Sequence, residues 1–136
     1  MKQNLILSVI LSLSFMAASE AQTIHNASNA QVGTIERDGT IRNRSNSQIG
    51  KIESDGVIRN GSNAQVGKID SGGVIRDKSN SQIGKVEFDG TVRNRSNSQI
   101  GKVESDGTVR DASNARMGSA PGIKKEWAAV FFFFDF

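Results

Sequence analysis

The sequence predicts an all-β fold, a closed radial array of short β-hairpins built from a 17-residue repeat, and three observations predict it. Gly33, Gly50, Gly67, Gly84 and Gly101 recur at intervals of 17 residues, and so do Gly39, Gly56, Gly73, Gly90 and Gly107. Aliphatic residues are scattered thinly between these glycines, without the long apolar segments that a buried helix needs. Asn, Ser, Asp and Gly gather at two points of every unit, which is the chemistry of chain reversal.

The chain of 136 residues opens with Lys2, an apolar stretch from Leu5 to Ala18, and the small residues of Ser19-Glu20-Ala21. Residues 1–21 read as a secretory signal cleaved after Ala21. The apolar stretch falls below the roughly 20 residues that span a bilayer, so the mature chain is expected to carry no transmembrane span. The expected location is periplasmic, cell-surface or secreted. Cysteine is absent, which excludes a disulfide framework and a thiolate metal site, and no cofactor is implied.

One repeat runs from Ser45 to Gly61, and near copies begin at Ser28, Ser62, Ser79 and Ser96, so five full repeats fill residues 28–112. Half units flank them, Thr23 to Ala27 and Ser113 to Gly118, and the repeat domain is taken as residues 22–118. Within a unit, Ser54-Asp55-Gly56 suits a three-residue hairpin with glycine at the left-handed bulge position. That register sets Glu53 opposite Val57, Ile52 opposite Ile58 and Lys51 opposite Arg59. The last pair is like-charged and costs some tenths of a kcal/mol unless a neighbouring Glu relieves it.

Ile49 and Ile52 are three positions apart, and a bulge at Gly50 would turn both inward, giving Ile49, Ile52 and Ile58 as the buried aliphatics of the unit. At ~1.5–3 kcal/mol per buried side chain, three cannot offset the ordering of 17 residues at over ~1 kcal/mol each. A unit is therefore expected to fold only against its neighbours. The Asn60-Gly61-Ser62-Asn63 segment is assigned to the connection between hairpins. The terminal half units favour closure into a ring, and an open β-solenoid with the halves as caps is the alternative.

After Pro121-Gly122 the composition changes, and residues 119–136 form a Phe-rich C-terminal segment with Trp127, Phe131, Phe132, Phe133, Phe134 and Phe136. Two roles suit this cluster. It can plug the array and supply volume that the thin aliphatic core lacks. Left exposed, it would be a patch for self-association or for an envelope partner.

The residues offer little chemistry. The net charge of +3 arises from residues that alternate in sign along each repeat, which argues against a nucleic-acid partner. The single histidine, His25, stands where other units carry Arg42, Arg59, Arg76, Arg93 and Arg110. Glu53 and Asp55, with Glu36/Asp38, Glu87/Asp89 and Glu104/Asp106, recur as carboxylate pairs beside a turn, a placement that suits turn stabilisation better than acid-base catalysis. No catalytic, cofactor-binding or metal-binding residue is assigned, and no enzyme is expected. A non-enzymatic exported scaffold is the leading reading, with a multivalent glycan- or calcium-binding module as the alternative.

The recurring Ile-Gly-Lys-Ile-Glu-Ser-Asp-Gly-Val-Ile-Arg-Asn phrase at 49–60, the apolar N-terminus and the Lys124-Lys125-Glu126-Trp127 to Phe134 ending resemble the five-fold β-flower family of small exported bacterial proteins. The resemblance implies an all-β radial array with no established biochemical activity and no active-site residues to carry over. Counted across the Asn-Ser-Asn corners, this chain has six units, starting at Thr23, Gly39, Gly56, Gly73, Gly90 and Gly107. Either the last closes a sixth petal or it serves as a plug.

Intact-mass measurement of the exported product is expected to give a chain that begins at Gln22. A product that retains Lys2 would replace the cleaved signal with an uncleaved anchor.

Overall fold

The computed structural model describes residues 21–136, so the expected signal segment, Ala21 apart, lies outside the described residues. Strands β1 (Gln22–Asn26), β2 (Gln31–Ile35), β3 (Thr40–Asn43) and β4 (Gln48–Ile52) lead the chain. They are followed by β5 (Val57–Asn60), β6 (Gln65–Ile69), β7 (Val74–Asp77) and β8 (Gln82–Val86). The last four are β9 (Thr91–Asn94), β10 (Gln99–Val103), β11 (Thr108–Asp111) and β12 (Arg116–Ser119), and helix α1 (Lys125–Phe133) comes after them. Each strand pairs antiparallel with its sequence neighbours, and β12 returns to β1 to close a twelve-stranded ring.

Closure decides between the two expected arrangements. His25 pairs with Ser119 and Asn26 with Gly118, so the terminal half units combine as a sixth unit and the open solenoid is set aside. The segment that follows β12 is separate from this closure.

The turn between β4 and β5 has the predicted three-residue form. Ile52 faces Ile58 and Lys51 faces Arg59, while the Gly56 amide donates to the Glu53 carbonyl at 2.9 Å and the Glu53 amide to the Val57 carbonyl at 2.8 Å. Gly56 takes φ of 96°, the left-handed region in which a Cβ is unfavourable. Its carbonyl accepts from the Ile69 amide at 2.8 Å, and Gly39 and Gly90 accept likewise from Ile52 and Val103 at 2.9 Å. Each turn tip is thereby tied to the next unit, a coupling that isolated hairpins do not have.

The Asn-rich corners are themselves hairpin turns, not slack connections. The Asn46 amide donates to the Asn43 carbonyl and the Asn43 amide to the Ser47 carbonyl, both at 2.9 Å. Asn43 Oδ1 accepts from the amides of Ser45 and Ser47 at 2.9 and 3.0 Å. Asn46 occupies φ of 70°, a conformation that Asn tolerates because its short polar side chain bonds locally. The same turn design therefore serves both ends of the ring, with Gly in the left-handed position at one end and Asn at the other.

The like-charge pairing of Lys51 and Arg59 is relieved as the sequence required. Arg59 Nε donates to Glu53 Oε2 at 3.0 Å, and Arg42–Glu36, Arg76–Asp70, Arg93–Glu87 and Arg110–Glu104 repeat the contact at 2.6–3.1 Å. With both partners about 30% exposed, each pair adds at most ~1 kcal/mol and chiefly orders the strands.

The core differs from expectation at one position of the repeat. Ile52 and Ile58 are buried with Ile24, Ile35, Ile41, Ile75, Val86, Val92, Val103 and Val109, whereas Ile49 is 44% exposed. The register places Ile41 opposite Gly50 and Arg42 opposite Gln48, so the bulge exists and Ile49 is its unpaired residue. The bulge lifts this side chain to the rim of the core instead of turning it fully inward. Two buried aliphatics per unit strengthen the conclusion that no unit folds alone.

Gly56→Ala would drive a Cβ into the Ile69 carbonyl, and urea unfolding is expected to show a loss of at least ~2 kcal/mol from strain in a left-handed position. Asn63→Gly, at φ of 70°, is expected to leave the midpoint nearly unchanged, because glycine accepts this conformation.

Candidate functional site

The C-terminal segment forms a short helix, an element the sequence analysis did not assign. Nothing caps its N-terminus through a side chain, and Glu126 lies in its first turn, where a negative charge meets the positive end of the helix dipole. Ala128, Ala129 and Val130 are buried within the same cluster as the aliphatics of the strands. Small residues at 128 and 129 let the helix backbone approach the strands where a longer side chain would overfill the interior.

Beyond Val130 the aromatic side chains meet the first glycine series. The Phe131 ring lies 3.4 Å from the position a Cβ would take at Gly33. Phe132 at Gly118, Phe133 at Gly101, Phe134 at Gly84 and Phe136 at Gly67 lie closer still, leaving no room for any side chain. Phe131 and Phe132 also pack edge to face, with centroids 5.4 Å apart. The glycines that the sequence marked as bulges are thus also the surfaces on which the rings rest, and the cross-strand carbonyl, such as Arg93 O at 2.7 Å from the Gly84 position, crowds them from the side.

The rings follow an order. Successive phenylalanines visit β2, β12, β10 and β8, and Phe136 reaches β6, each step moving to the adjoining glycine-bearing strand. Phe131 to Phe134 are half-buried and Phe136 is 37% exposed.

Trp127 is placed apart from the phenylalanines, half-buried where α1 meets the Asp-Gly turns. It borders a cleft of about 240 Å³ with Gln22, Glu36, Arg37 and Lys124, and another of about 320 Å³ with Asp55, Asp70 and Glu126. Lys124 Nζ sits 5.0 Å from the Trp127 ring centroid, a cation–π contact at an exposed edge. Phe88, one residue before the Asp89-Gly90 turn, is 96% exposed, with Lys125 Nζ 5.7 Å from its ring centroid. Phe88 is the single aromatic residue within the repeats. Its exposure follows from its place at a turn tip, held by Arg37, Ser54, Ser71 and Ser105 in other units.

The titratable residues are largely engaged in structure. Backbone amides of Thr40, Thr91 and Thr108 hold the carboxyls of Asp38, Asp89 and Asp106 below the usual carboxylate range, and the Arg76 side chain does the same for Asp70. These shifts favour the ionised form, opposite to the raised value a general acid needs near neutral pH. His25 Nε2 contacts Thr23 Oγ1 at 3.3 Å, and its buried Nδ1 has no partner among the described residues. No group of three or more His, Asp or Glu side chains with metal-binding geometry occurs among the described residues. No helix among them is long and apolar enough to cross a membrane.

In comparison with known proteins, residues 21–136 match the family described as 5-fold beta-flower protein. Neither the curated proteins nor the solved structures yield a match.

Gly84→Ala is expected to cost about 2–3 kcal/mol in urea unfolding, because Phe134 has to leave its place or the strand has to move. Gly50→Ala, which meets Arg59 O at 2.9 Å and no ring, is expected to cost less than half as much.

Proposed function

From the premise that this chain belongs to the 5-fold beta-flower protein family, we propose that it is a non-enzymatic exported scaffold. Its repeats form a rigid ring, and its aromatic tail fills the ring and presents the half-buried edges of Trp127 and Phe134 and the exposed edge of Phe136 as assembly contacts. The observation that carries this reading is the engagement of the repeated polar side chains. Five Arg side chains each bond a Glu or Asp of their own unit, and Arg42, Arg59, Arg76, Arg93 and Arg110 also donate to a corner carbonyl. The carboxylates and guanidinium groups that would do chemistry are occupied in holding strand register.

Export places such a ring outside the cytoplasm, where a cysteine-free fold has no dependence on redox state. The asparagine and aspartate side chains of the corners likewise cap the backbone of their own turns. Fewer polar groups are then left for a glycan or a cation.

Thermal melts with and without calcium, together with a glycan array, test the reading, and an unchanged midpoint and an empty array are the expected results. A ligand at a hundredfold excess over its Kd stabilises by ~2.7 kcal/mol, so an upward shift of several degrees would reassign the protein as a calcium-binding module. A saturable array signal would reassign it as a glycan-binding one.

A further inference from the structure

Six corners of one design occupy the Asn-rich end of the ring, and they open on Asn26, Asn43, Asn60, Asp77, Asn94 and Asp111. The next residue is alanine, arginine or lysine in five of them and Gly61 in the sixth. We propose that Asn60 is a self-modifying residue: the Gly61 backbone nitrogen attacks its carboxamide, which becomes a carboxylate, and the aspartate so formed is retained in the folded corner.

Three features of the corner meet the needs of this reaction. To close a cyclic imide, the attacking nitrogen has to swing toward Asn60 Cγ, and Gly61 has the widest backbone range and no Cβ beside that nitrogen. Negative charge then gathers on Oδ1 of Asn60. This atom already accepts from the Ser62 amide at 2.9 Å and the Ala64 amide at 3.0 Å, so two fixed donors face the oxygen on which charge develops. Solvent has access as well, since Asn60 is half-buried and residues 61–64 are exposed. Asn26, Asn43 and Asn94 have the same two donors at 2.9 and 3.0 Å. They precede Ala27, Arg44 and Arg95, so glycine is what distinguishes the Asn60 corner.

The bond changes balance with water as the only co-reactant. The deprotonated Gly61 nitrogen bonds to Asn60 Cγ, the Cγ–Nδ2 bond breaks, and Nδ2 leaves as ammonia with a proton from solvent. Water then adds at Cγ and breaks its bond to the Gly61 nitrogen, which takes back a proton, leaving a carboxylate on the side chain. Opening at the main-chain carbonyl instead gives isoaspartate, which lengthens the backbone of the corner.

The other corners supply the ground for retention. Asp77 and Asp111 stand where Asn60 does, and their Oδ1 atoms accept from the amides of Ser79 and Ser81 and of Ser113 and Ala115 at 2.9–3.0 Å. A carboxylate at position 60 finds the same donors and is a stronger acceptor for them than the carboxamide. Asp77 Oδ2 also lies 3.9 Å from a terminal guanidinium nitrogen of Arg95 in the next corner. Lys78 stands to position 60 as Arg95 does to Asp77, so the new charge meets a cation of the following unit. The reaction therefore changes one corner into the form that the sequence already uses in two others. The proposal goes beyond the scaffold reading and does not depend on it, since the chemistry belongs to the corner whatever the ring does.

Incubation of the purified protein in mildly alkaline buffer, followed by peptide mass mapping, tests the reaction. With both openings of the imide counted, position 60 is expected to convert at least about tenfold faster than Asn26, Asn43 and Asn94. Gly61→Ala introduces the residue already present at Ala27 and Ala112, so the variant is expected to fold. Its conversion is expected to fall about tenfold, to the rate of Asn26. Equal rates at the four asparagines, a Gly61→Ala variant that converts as fast as the parent, or conversion confined to urea-unfolded protein would overturn the site. Retention is tested by melting Asn60→Asp, whose thermal midpoint is expected within about 2 °C of the parent. A larger fall, or loss of the folded signal, would overturn retention of the product.

Discussion

A ring of thin modules encloses an axial space, and the filling of that space is the constraint on which the rest of the structure depends. Each unit supplies two fully buried aliphatics at most, which leaves the interior short of volume at the level of the first glycine series. The chain meets the shortage with its own C-terminus, whose buried alanines admit a helix and whose phenylalanines rest on backbone. Glycine and phenylalanine act here as complementary parts: the side chain missing from the strand is replaced by one delivered from the axis. Close-packed interiors tolerate neither voids nor overlap, so each determines the other.

Local polar contacts then hold the wall that the aromatic filling supports. Arg59 reaches Glu53 across its own hairpin and the corner carbonyl of Asn63 at the other end, so one guanidinium spans the strand and braces both turns. The geometry explains why this position is Arg, whose planar fork serves two acceptors at once, and not Lys. At His25 this brace to the Asn29 carbonyl is missing, and a different carbonyl of the same corner, that of Ala27, accepts from Arg116 near the other end of the strand ring at 3.3 Å. Closure between β1 and β12 is thus reinforced by a contact that no internal unit requires.

Reading the sequence alone recovered the hairpin register because turn chemistry and hydrophobic pairing pointed the same way at Ser54-Asp55-Gly56. It misplaced Ile49, because a bulge was treated as a device for turning a side chain inward, and periodicity does not say how far a bulged residue stands from the core. The Asn-Ser-Asn corners were recognised as chain reversals, but their equivalence to the Asp-Gly turns was not, since it depends on Asn adopting a left-handed conformation. The aromatic residues stood out by composition, whereas the helix that carries most of them gave no such signal. Nine residues of modest amphipathicity give little local signal, and this helix exists by being enclosed.

By itself, the sequence determined the repeat, the positions of both turns, strand pairing within each unit and the need for units to share a core, because these follow from residue-level preferences acting over a few positions. Only the tertiary structure decided that the halves at the two ends join as a sixth unit, that each phenylalanine meets a particular glycine, and that Gly50 alone receives no ring. Those outcomes depend on how many sectors the circle holds and in which direction the tail proceeds around it. Both are properties of the closed assembly, and no short stretch of chain encodes either one.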